Sequence, residues 1–236
     1  MAPPPADCTP DAARSPAPAG PPAADSRRDA VLLARWRLGW SAATWLTRSN
    51  EPVPPGFADG FAGLVERRTR REPLAYITGE REFYGRPFTV PADVLIPRQE
   101  TELLVEHALG CLRDLHRPGS EGPQVLDVGT GSGCVAVTIA LEAPFVQVVA
   151  TDVSPAALEV ARANAERLGA ADRIEFRIDS LAGTVADAFE LIVANPPYVP
   201  GADRDSLAPE VRHYEAGPAL FGTGIYYAQY LAGLIA

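Results

Sequence analysis

The chain has few of the residues that build disulfides and metal centres. It contains 236 residues, of which three are cysteines and three are histidines. Cys8, Cys111 and Cys134 form no close pair, so the sequence predicts neither a disulfide framework nor a zinc site. We therefore expect no metal ion in this protein.

Positive charge and long hydrophobic runs are also scarce. The 21 Lys and Arg residues are outnumbered by 30 Asp and Glu, which leaves a formal net charge of −9. This excess of negative charge disfavours electrostatic binding of nucleic acid over a broad surface, and we expect no direct nucleic-acid binding. Before the C-terminal end, no uncharged apolar run approaches the roughly 18 residues of a membrane span. We expect a soluble, cytoplasmic globular protein.

Composition and apolar spacing divide the chain into segments. Residues 1–25 are rich in Pro and Ala with almost no large apolar side chain, which predicts a disordered extension. The next segment has apolar residues at helical spacing, and Ser26 with Asp29 resembles a capping box that starts a helix. The predicted divisions after the extension are an N-terminal helical domain over 26–73, a β-hairpin linker over 74–98 and a main domain over 99–236.

The main domain alternates helical and strand patterns. Strands are predicted at 125–128, 146–151, 173–178 and 189–194, and helices at 99–115, 134–142 and 155–168. Such alternation predicts an α/β domain with a mostly parallel, Rossmann-like sheet. Ligands of these sheets bind beyond the carboxyl ends of the strands. The polar or glycine-rich stretches at those ends are Asp127, residues 129–133, Asp152, Asp179 and Asn195.

A glycine-rich loop follows the first of these strands. Gly129, Gly131 and Gly133 permit close approach of the backbone to a ligand at a helix N-terminus. Their spacing is not the Gly-x-Gly-x-x-Gly of dinucleotide folds, which weakens a pyrophosphate interpretation. Asp152 lies 19 residues beyond Gly133 (152 − 133), where an acid binds ribose hydroxyls in doubly wound folds. The alternative role for Asp152 is to begin the next helix, although Ser154 is the better cap.

The run Asn195-Pro196-Pro197-Tyr198 follows the fourth predicted strand. Proline lacks an N–H and restricts the residue before it, so Asn195 and Pro196 are held stiffly with free carbonyl oxygens. The Asn195 amide adds an acceptor and two donors, and Tyr198 adds a flat apolar face. These groups suit a small planar ligand with N–H bonds, such as a carboxamide or an exocyclic base amine. A proline-rich turn is the alternative.

Taken together in this order, the loop, the two acids and Asn-Pro-Pro-Tyr resemble a class I S-adenosylmethionine-dependent methyltransferase. The resemblance implies S-adenosylmethionine as the cofactor. The cofactor-binding residues that it implies are Gly129, Thr130, Gly131, Ser132, Gly133, Asp152, Asp179, Ser180 and Asn195, with Asp179 or Ser180 beside the adenine.

Three further segments, at 72–79, 83–85 and 95–102, resemble the HemK/PrmC family. Members of this family methylate the side-chain amide of the glutamine in the Gly-Gly-Gln motif of peptide chain release factors. The similarity runs from about Asp29 to Leu220, with a helical N-terminal domain and a hairpin linker as in that family. The resemblance implies a release factor as partner, Asn195, Pro196, Pro197 and Tyr198 as substrate-binding residues, and Asn195, Pro196 and Tyr198 as catalytic residues.

Two other functions stay open at this point. Asn-Pro-Pro-Tyr also occurs in enzymes that methylate exocyclic amines of nucleic-acid bases, and the chain could instead be an inactive remnant that only binds a partner. An inactive remnant is possible because the sequence shows fewer strands than such a sheet normally has. In addition, the pattern of residues 225–236 predicts a helix without charged side chains. We expect a C-terminally truncated chain, poorly stable or inactive, whose Asn-Pro-Pro-Tyr strand exposes an edge. A complete protein would be a monomer.

Overall fold

The computed structural model describes residues 23–117, 119, 121–179, 189–197, 199–215 and 217–221. The chain forms two compact units, Met1–Arg71 and Glu72–Ala236. Most of the predicted extension and the whole of the predicted helix at 225–236 lie outside the described residues.

In its described residues, the first unit contains three helices: α1 (Ala23–Leu38), α2 (Ala42–Arg48) and α3 (Phe57–Thr69). Helix α1 begins at Ala23 rather than at the predicted Ser26, and the alanines before Ser26 are strong helix formers that extend it. Helix α2 is capped by Ser41, whose hydroxyl accepts a 3.0 Å hydrogen bond from the Thr44 N–H. Helices α1 and α3 are joined by a 2.6 Å ion pair between Asp29 and Arg68.

The second unit opens with a short helix and a β-hairpin. Its elements are α4 (Leu74–Thr78), β1 (Glu80–Phe83) and β2 (Arg86–Thr89). Tyr84 and Gly85 both have positive φ values, 51° and 72°, as a two-residue turn between antiparallel strands requires. Residues 94–96, in the last part of the predicted hairpin linker, do not form a strand, because the flanking Pro91 and Pro97 cannot donate to a ladder.

A four-stranded parallel sheet forms the centre of this unit. The strands are β3 (Gln124–Val128), β4 (Gln147–Asp152), β5 (Ile174–Ile178) and β6 (Leu191–Ala194), and their spatial order is β5-β4-β3-β6. The helices before and between them are α5 (Thr101–Leu115), α6 (Cys134–Glu142) and α7 (Pro155–Leu168), with a short 3₁₀ helix at Ala171–Arg173. This architecture confirms the predicted α/β fold. Within the described sheet, β6 is an edge strand.

Local sequence explains the packing of these helices. Helix α7 starts with Pro155 after the capping hydroxyl of Ser154 and ends at Gly169, where φ is 79°. Helix α5 buries Val105, Ala108, Leu109 and Leu112. Leu115, in the last turn of α5, is 42% exposed.

The described part of the segment after β6 includes short helical elements. It contains a 3₁₀ helix at Gly201–Ser206, helix α8 (Pro209–Tyr214) and helix α9 (Gly217–Leu220). Pro209 occupies the first turn of α8, a position at which proline needs no N–H partner. None of the helices in the described part of the chain is long and apolar enough to cross a membrane.

Candidate active site

A cavity of about 300 Å³ opens at the carboxyl ends of β3, β4 and β6. Its volume is within the range of small-molecule sites. The predicted site residues that line it are Gly129, Thr130, Gly131, Ser132, Asp152, Asp179, Asn195 and Pro197. The parallel strands bring these residues together because their carboxyl ends share one edge of the sheet.

The glycine-rich loop leaves space at two of its three glycines. Gly129 and Gly131 have φ values of 73° and 56°, and a Cβ built at either position would have no heavy atom within 4 Å. The loop is fixed to β4, because the N–H groups of Gly129 and Thr130 both donate 2.9 Å hydrogen bonds to the Thr151 carbonyl. The loop therefore offers a rigid, open surface to a ligand.

Gly133 has a different environment from the other two glycines. It has a φ of 79°, and a Cβ there would lie 3.0 Å from the Cβ of Ala161 in α7. Gly133 is not among the residues that line the cavity. Its role in the structure is to let α7 approach the start of α6 closely.

Asp152 connects the glycine loop to the start of α7. One carboxylate oxygen accepts a 2.9 Å hydrogen bond from the Gly131 N–H, and the other accepts a 2.9 Å bond from the Ser154 N–H. The side chain thus has both a helix-end contact and a place on the cavity wall. An acid held in this way can accept hydrogen bonds from ribose hydroxyls.

Asp127 is a buried acid of the cavity wall that our sequence analysis placed at a strand end but did not assign to the site. It is 2% exposed, and its Oδ2 accepts a 2.7 Å hydrogen bond from the Thr130 hydroxyl. Burial raises the pKa of this carboxyl to about 6, the nearby Asp152 carboxylate acts in the same direction, and the Thr130 bond opposes both. Asp127 therefore changes its charge near pH 6.

Cys134 also lines the cavity. Burial raises the pKa of its thiol to about 12, so the side chain stays protonated at neutral pH. A protonated thiol is a poor nucleophile, and the site offers no covalent route through this residue.

Asn195 stands directly after β6 and lines the cavity. Its Nδ2 donates a 3.2 Å hydrogen bond to the hydroxyl of Thr101, the first residue of α5. Pro197 lines the cavity, whereas Pro196 does not. Tyr198 and Ser180 lie outside the described residues.

One wall of the cavity comes from a segment that sequence reasoning did not assign to the site. Asp93, Val94, Leu95, Pro97 and Thr101 form this wall. The signal that could have identified it is the proline-bounded apolar run, which buries Val94 and Ile96 without forming a strand.

The same segment is tied to the chain after β6. Arg98 contacts both carboxylate oxygens of Glu215 at 2.7 Å, and the Glu215 side chain is 1% exposed. Burial raises the pKa of Glu215, and the Arg98 guanidinium opposes that rise. The ion pair joins residues 117 positions apart.

Two family models match the chain. Residues 101–224 match the family described as Methyltransferase small domain, and residues 21–79 match the PrmC N-terminal domain. The release factor glutamine methyltransferase of Chlorobaculum tepidum is 42% identical over 214 residues, which cover 88% of this chain and 73% of that protein. The enzyme of the same name from Geobacter sulfurreducens is 45% identical over 201 residues, covering 82% and 67% of the two chains.

The chain belongs to the release factor glutamine methyltransferase family. The HemK/PrmC resemblance of the sequence is thereby confirmed, and the cofactor is S-adenosylmethionine. A solved structure supports the class I methyltransferase fold. The hMettl16 catalytic domain in complex with the MAT2A 3′UTR hairpin 6 superposes with a TM-score of 0.50 at 17% identity, covering 66% of this chain and 59% of that one. At this identity the likeness shows the fold alone.

The cavity of this family member fits its cofactor. The open glycines leave room beside the loop, and the carboxylates of Asp152 and Asp179 can accept hydrogen bonds from hydroxyl or amine groups. Val128, Val135 and Ala157 give the same cavity an apolar portion. Within the described ranges, no group of three or more His, Cys, Asp or Glu side chains is arranged to hold a metal ion.

Proposed function

We propose that this chain transfers a methyl group from S-adenosylmethionine to the side-chain amide nitrogen of the glutamine in the Gly-Gly-Gln motif of peptide chain release factors. Relatives about 40% identical over most of the chain carry the name of this activity. The observation that carries the proposal is that one cavity is lined by both the glycine loop and Asn195. A methyl donor on the loop and an amide at Asn195 would share that space.

The roles proposed for the cofactor-binding residues follow from their positions. Residues 129–133 would hold S-adenosylmethionine, with Gly133 acting through the packing of α7 rather than from the cavity wall. Asp152 would accept hydrogen bonds from the ribose hydroxyls, and Asp179 would lie beside the adenine. Ser180 keeps its proposed place near the adenine as a sequence-based prediction.

An amide nitrogen is a poor nucleophile because its lone pair is delocalised into the carbonyl. When bound, S-adenosylmethionine supplies an activated methyl group on its sulfonium. Asn195 Oδ1 and the Pro196 carbonyl would accept the two N–H bonds of the glutamine amide. These bonds would orient the nitrogen and stabilise the positive charge that develops on it during methyl transfer.

The remaining residues of the motif would complete the substrate site. Pro197 lines the cavity, and Tyr198 would pack on the plane of the glutamine amide. No general base is needed, because the methylated nitrogen becomes acidic and can release its proton to water. The buried Cys134 thiol, with its raised pKa of about 12, takes no part in this proton transfer.

Methylation of a nucleic-acid base is the weaker of the two catalytic interpretations. The net charge of −9 is unfavourable for binding a polyanion, and the names of the relatives specify glutamine as the acceptor. We further propose that the complete protein is a monomer that binds neither nucleic acid nor membranes directly. A cytoplasmic location is proposed because its proposed substrates work at ribosomes there.

An intact-mass assay tests the proposed reaction. The chain is incubated with S-adenosylmethionine and a release factor, either unchanged or with the Gly-Gly-Gln glutamine replaced by alanine. We expect the mass of one methyl group to be added to the unchanged factor and none to the variant. Methylation of both factors would contradict the assigned acceptor.

A cofactor titration on the same sample separates two causes of a negative result. If S-adenosylmethionine binds but no factor is methylated, the cavity is folded and the proposed substrate is wrong. If it does not bind, this chain lacks a working cofactor site.

A further inference from the structure

We propose that Thr101 is a positioning residue for methyl transfer, because its hydroxyl anchors the Asn195 amide that binds the substrate. This inference rests on the proposed function, in which Asn195 Oδ1 accepts a hydrogen bond from the glutamine amide. It assigns a role to a residue of α5 that lies 94 positions away from Asn195 in the sequence.

The contact between the two side chains has a defined polarity. Asn195 Nδ2 donates a 3.2 Å hydrogen bond to Thr101 Oγ1. A carboxamide has its donor and acceptor groups on opposite branches of one planar unit. Holding the NH₂ branch against Thr101 therefore directs the Oδ1 branch away from Thr101, and both residues line the same cavity.

The backbone around Asn195 cannot by itself supply this orientation. Pro196 restricts the backbone of Asn195 to extended conformations, and the pairing of Ala194 with Val128 fixes the end of β6. The terminal torsion of an Asn side chain is nonetheless broad and roughly two-fold. A partner that anchors the amide is needed to restrict its rotation between the two orientations.

Thr101 is well suited to be that partner. It is 7% exposed, and its backbone N–H donates a 3.1 Å hydrogen bond to the Arg98 carbonyl at the start of α5. Its β-branched side chain has few χ1 rotamers in a helix. The hydroxyl is consequently a fixed point on a packed element, and not the end of a mobile side chain.

The reverse orientation would oppose the reaction. It would point the NH₂ branch of Asn195 at the N–H groups of the substrate amide, so that donors face donors. The positive charge that grows on the substrate nitrogen would then meet another partial positive charge. Loss of the Thr101 bond should therefore lower the rate of methyl transfer more than it lowers binding of the cofactor.

The test replaces Thr101 by the isosteric Val and by the hydroxyl-retaining Ser. We expect Thr101→Val to lower kcat by roughly three- to tenfold, the loss of one hydrogen bond, while KM for the release factor and the affinity for S-adenosylmethionine stay close to wild type. Thr101→Ser should recover most of the rate. The matched control is Thr138→Val, because Thr138 is fully buried in α6 and its hydroxyl has no hydrogen-bond partner.

A double-mutant cycle with Asn195→Ala separates positioning from a general structural effect. If Thr101 acts through Asn195, adding Thr101→Val to Asn195→Ala should leave kcat unchanged. A further loss equal to that of the single variant would overturn the proposal. So would a Thr101→Val enzyme with wild-type kcat, provided that the wild-type chain methylates the release factor.

A spectroscopic readout keeps the proposal testable if the wild-type chain proves inactive on release factors, which would refute the proposed function alone. The side-chain NH₂ resonances of Asn195 are recorded by ¹⁵N–¹H NMR. Thr101→Val should shift them and speed their exchange with water, whereas Thr101→Ser and Thr138→Val should not. Unchanged resonances in Thr101→Val would refute the positioning role.

Discussion

At the level of single residues, the proposed chemistry depends most on Asn195. We expect Asn195→Ala to reduce kcat on the release factor by roughly five- to 150-fold, because a substrate N–H loses its acceptor at a cost of about 1–3 kcal/mol. Steady-state turnover measures this. Asn50→Ala is a matched control, since Asn50 is exposed. Activity of Asn195→Ala within a few-fold of wild type would refute the assigned role.

Asp127 predicts a pH dependence of stability. Burial raises its pKa in the folded protein to about 6 from an ordinary value of 3.8, so the folded state holds a proton that the unfolded state releases. Folding is therefore favoured by this group below pH 3.8, and that contribution is lost as the pH rises through about 6. The linked change is on the order of 3 kcal/mol.

Urea unfolding at pH 4.5 and at pH 7.5 measures this effect in wild type and in Asp127→Asn. The fall in unfolding free energy between the two pH values should be smaller in the variant by the contribution of Asp127, because the amide does not ionise. Asp172→Asn, at an exposed acid of the same unit, should keep it. Identical pH profiles for wild type and Asp127→Asn would show that Asp127 ionises normally.

Sequence reasoning named several of the cavity-lining residues that stand at strand ends, and it named none of those on the wall formed by residues 93–101. The glycine loop, Asp152, Asp179 and Asn195 stand at strand ends, where the topology of a parallel sheet dictates a shared edge. Thr101 and Asp93 come from a helix start and an irregular segment. Their place on the cavity wall depends on tertiary packing, which no local pattern encodes.

At the level of elements, close packing between α6 and α7 requires a residue without a side chain at position 133. A Cβ on Gly133 would lie 3.0 Å from Ala161 Cβ and 3.1 Å from its Cα, and φ there is 79°. We expect Gly133→Ala to lower the unfolding free energy by roughly 1–3 kcal/mol and to weaken cofactor binding by displacing the loop. Chemical denaturation and a cofactor titration measure the two effects.

Gly110→Ala provides the matched control for this substitution. Gly110 lies inside α5, and a Cβ there would have no heavy atom within 4 Å. Alanine in a helix interior is favoured over glycine by about 0.5–1 kcal/mol, so this variant should gain stability. Equal effects of the two substitutions would show that the contact with Ala161 does not limit the packing.

The limits of prediction for elements also have physical causes. Strands β3 and β4 were predicted from their apolar central residues. The structure buries these residues, as expected for a parallel sheet that is covered on both faces. The run at 94–96 has the same apolar character but lies between prolines, and it packs into the core without a ladder. The pairing of Arg98 with Glu215 could not be anticipated, because local sequence does not specify a partner 117 residues away.

At the level of the whole molecule, the described lining of the cavity comes from one of the two units. Each described residue that lines it lies between Asp93 and Ala219, within the unit Glu72–Ala236. A ligand that binds the native state suppresses local opening of the segments that contact it. The two units should therefore respond differently to a cofactor product such as S-adenosylhomocysteine.

Hydrogen exchange followed by mass spectrometry measures that difference. Saturating S-adenosylhomocysteine should slow exchange in peptides that cover 93–101, 129–135 and 151–157, since these segments supply most of the cavity wall. Peptides from α3 should exchange at an unchanged rate. The protection should be weaker at the same ligand concentration in Asp152→Asn. The Asn side chain has one acceptor oxygen, whereas the Asp carboxylate offers two to Gly131, Ser154 and the ribose. Protection of α3 without protection of 129–135 would place the cofactor outside this cavity and overturn the assignment of the site.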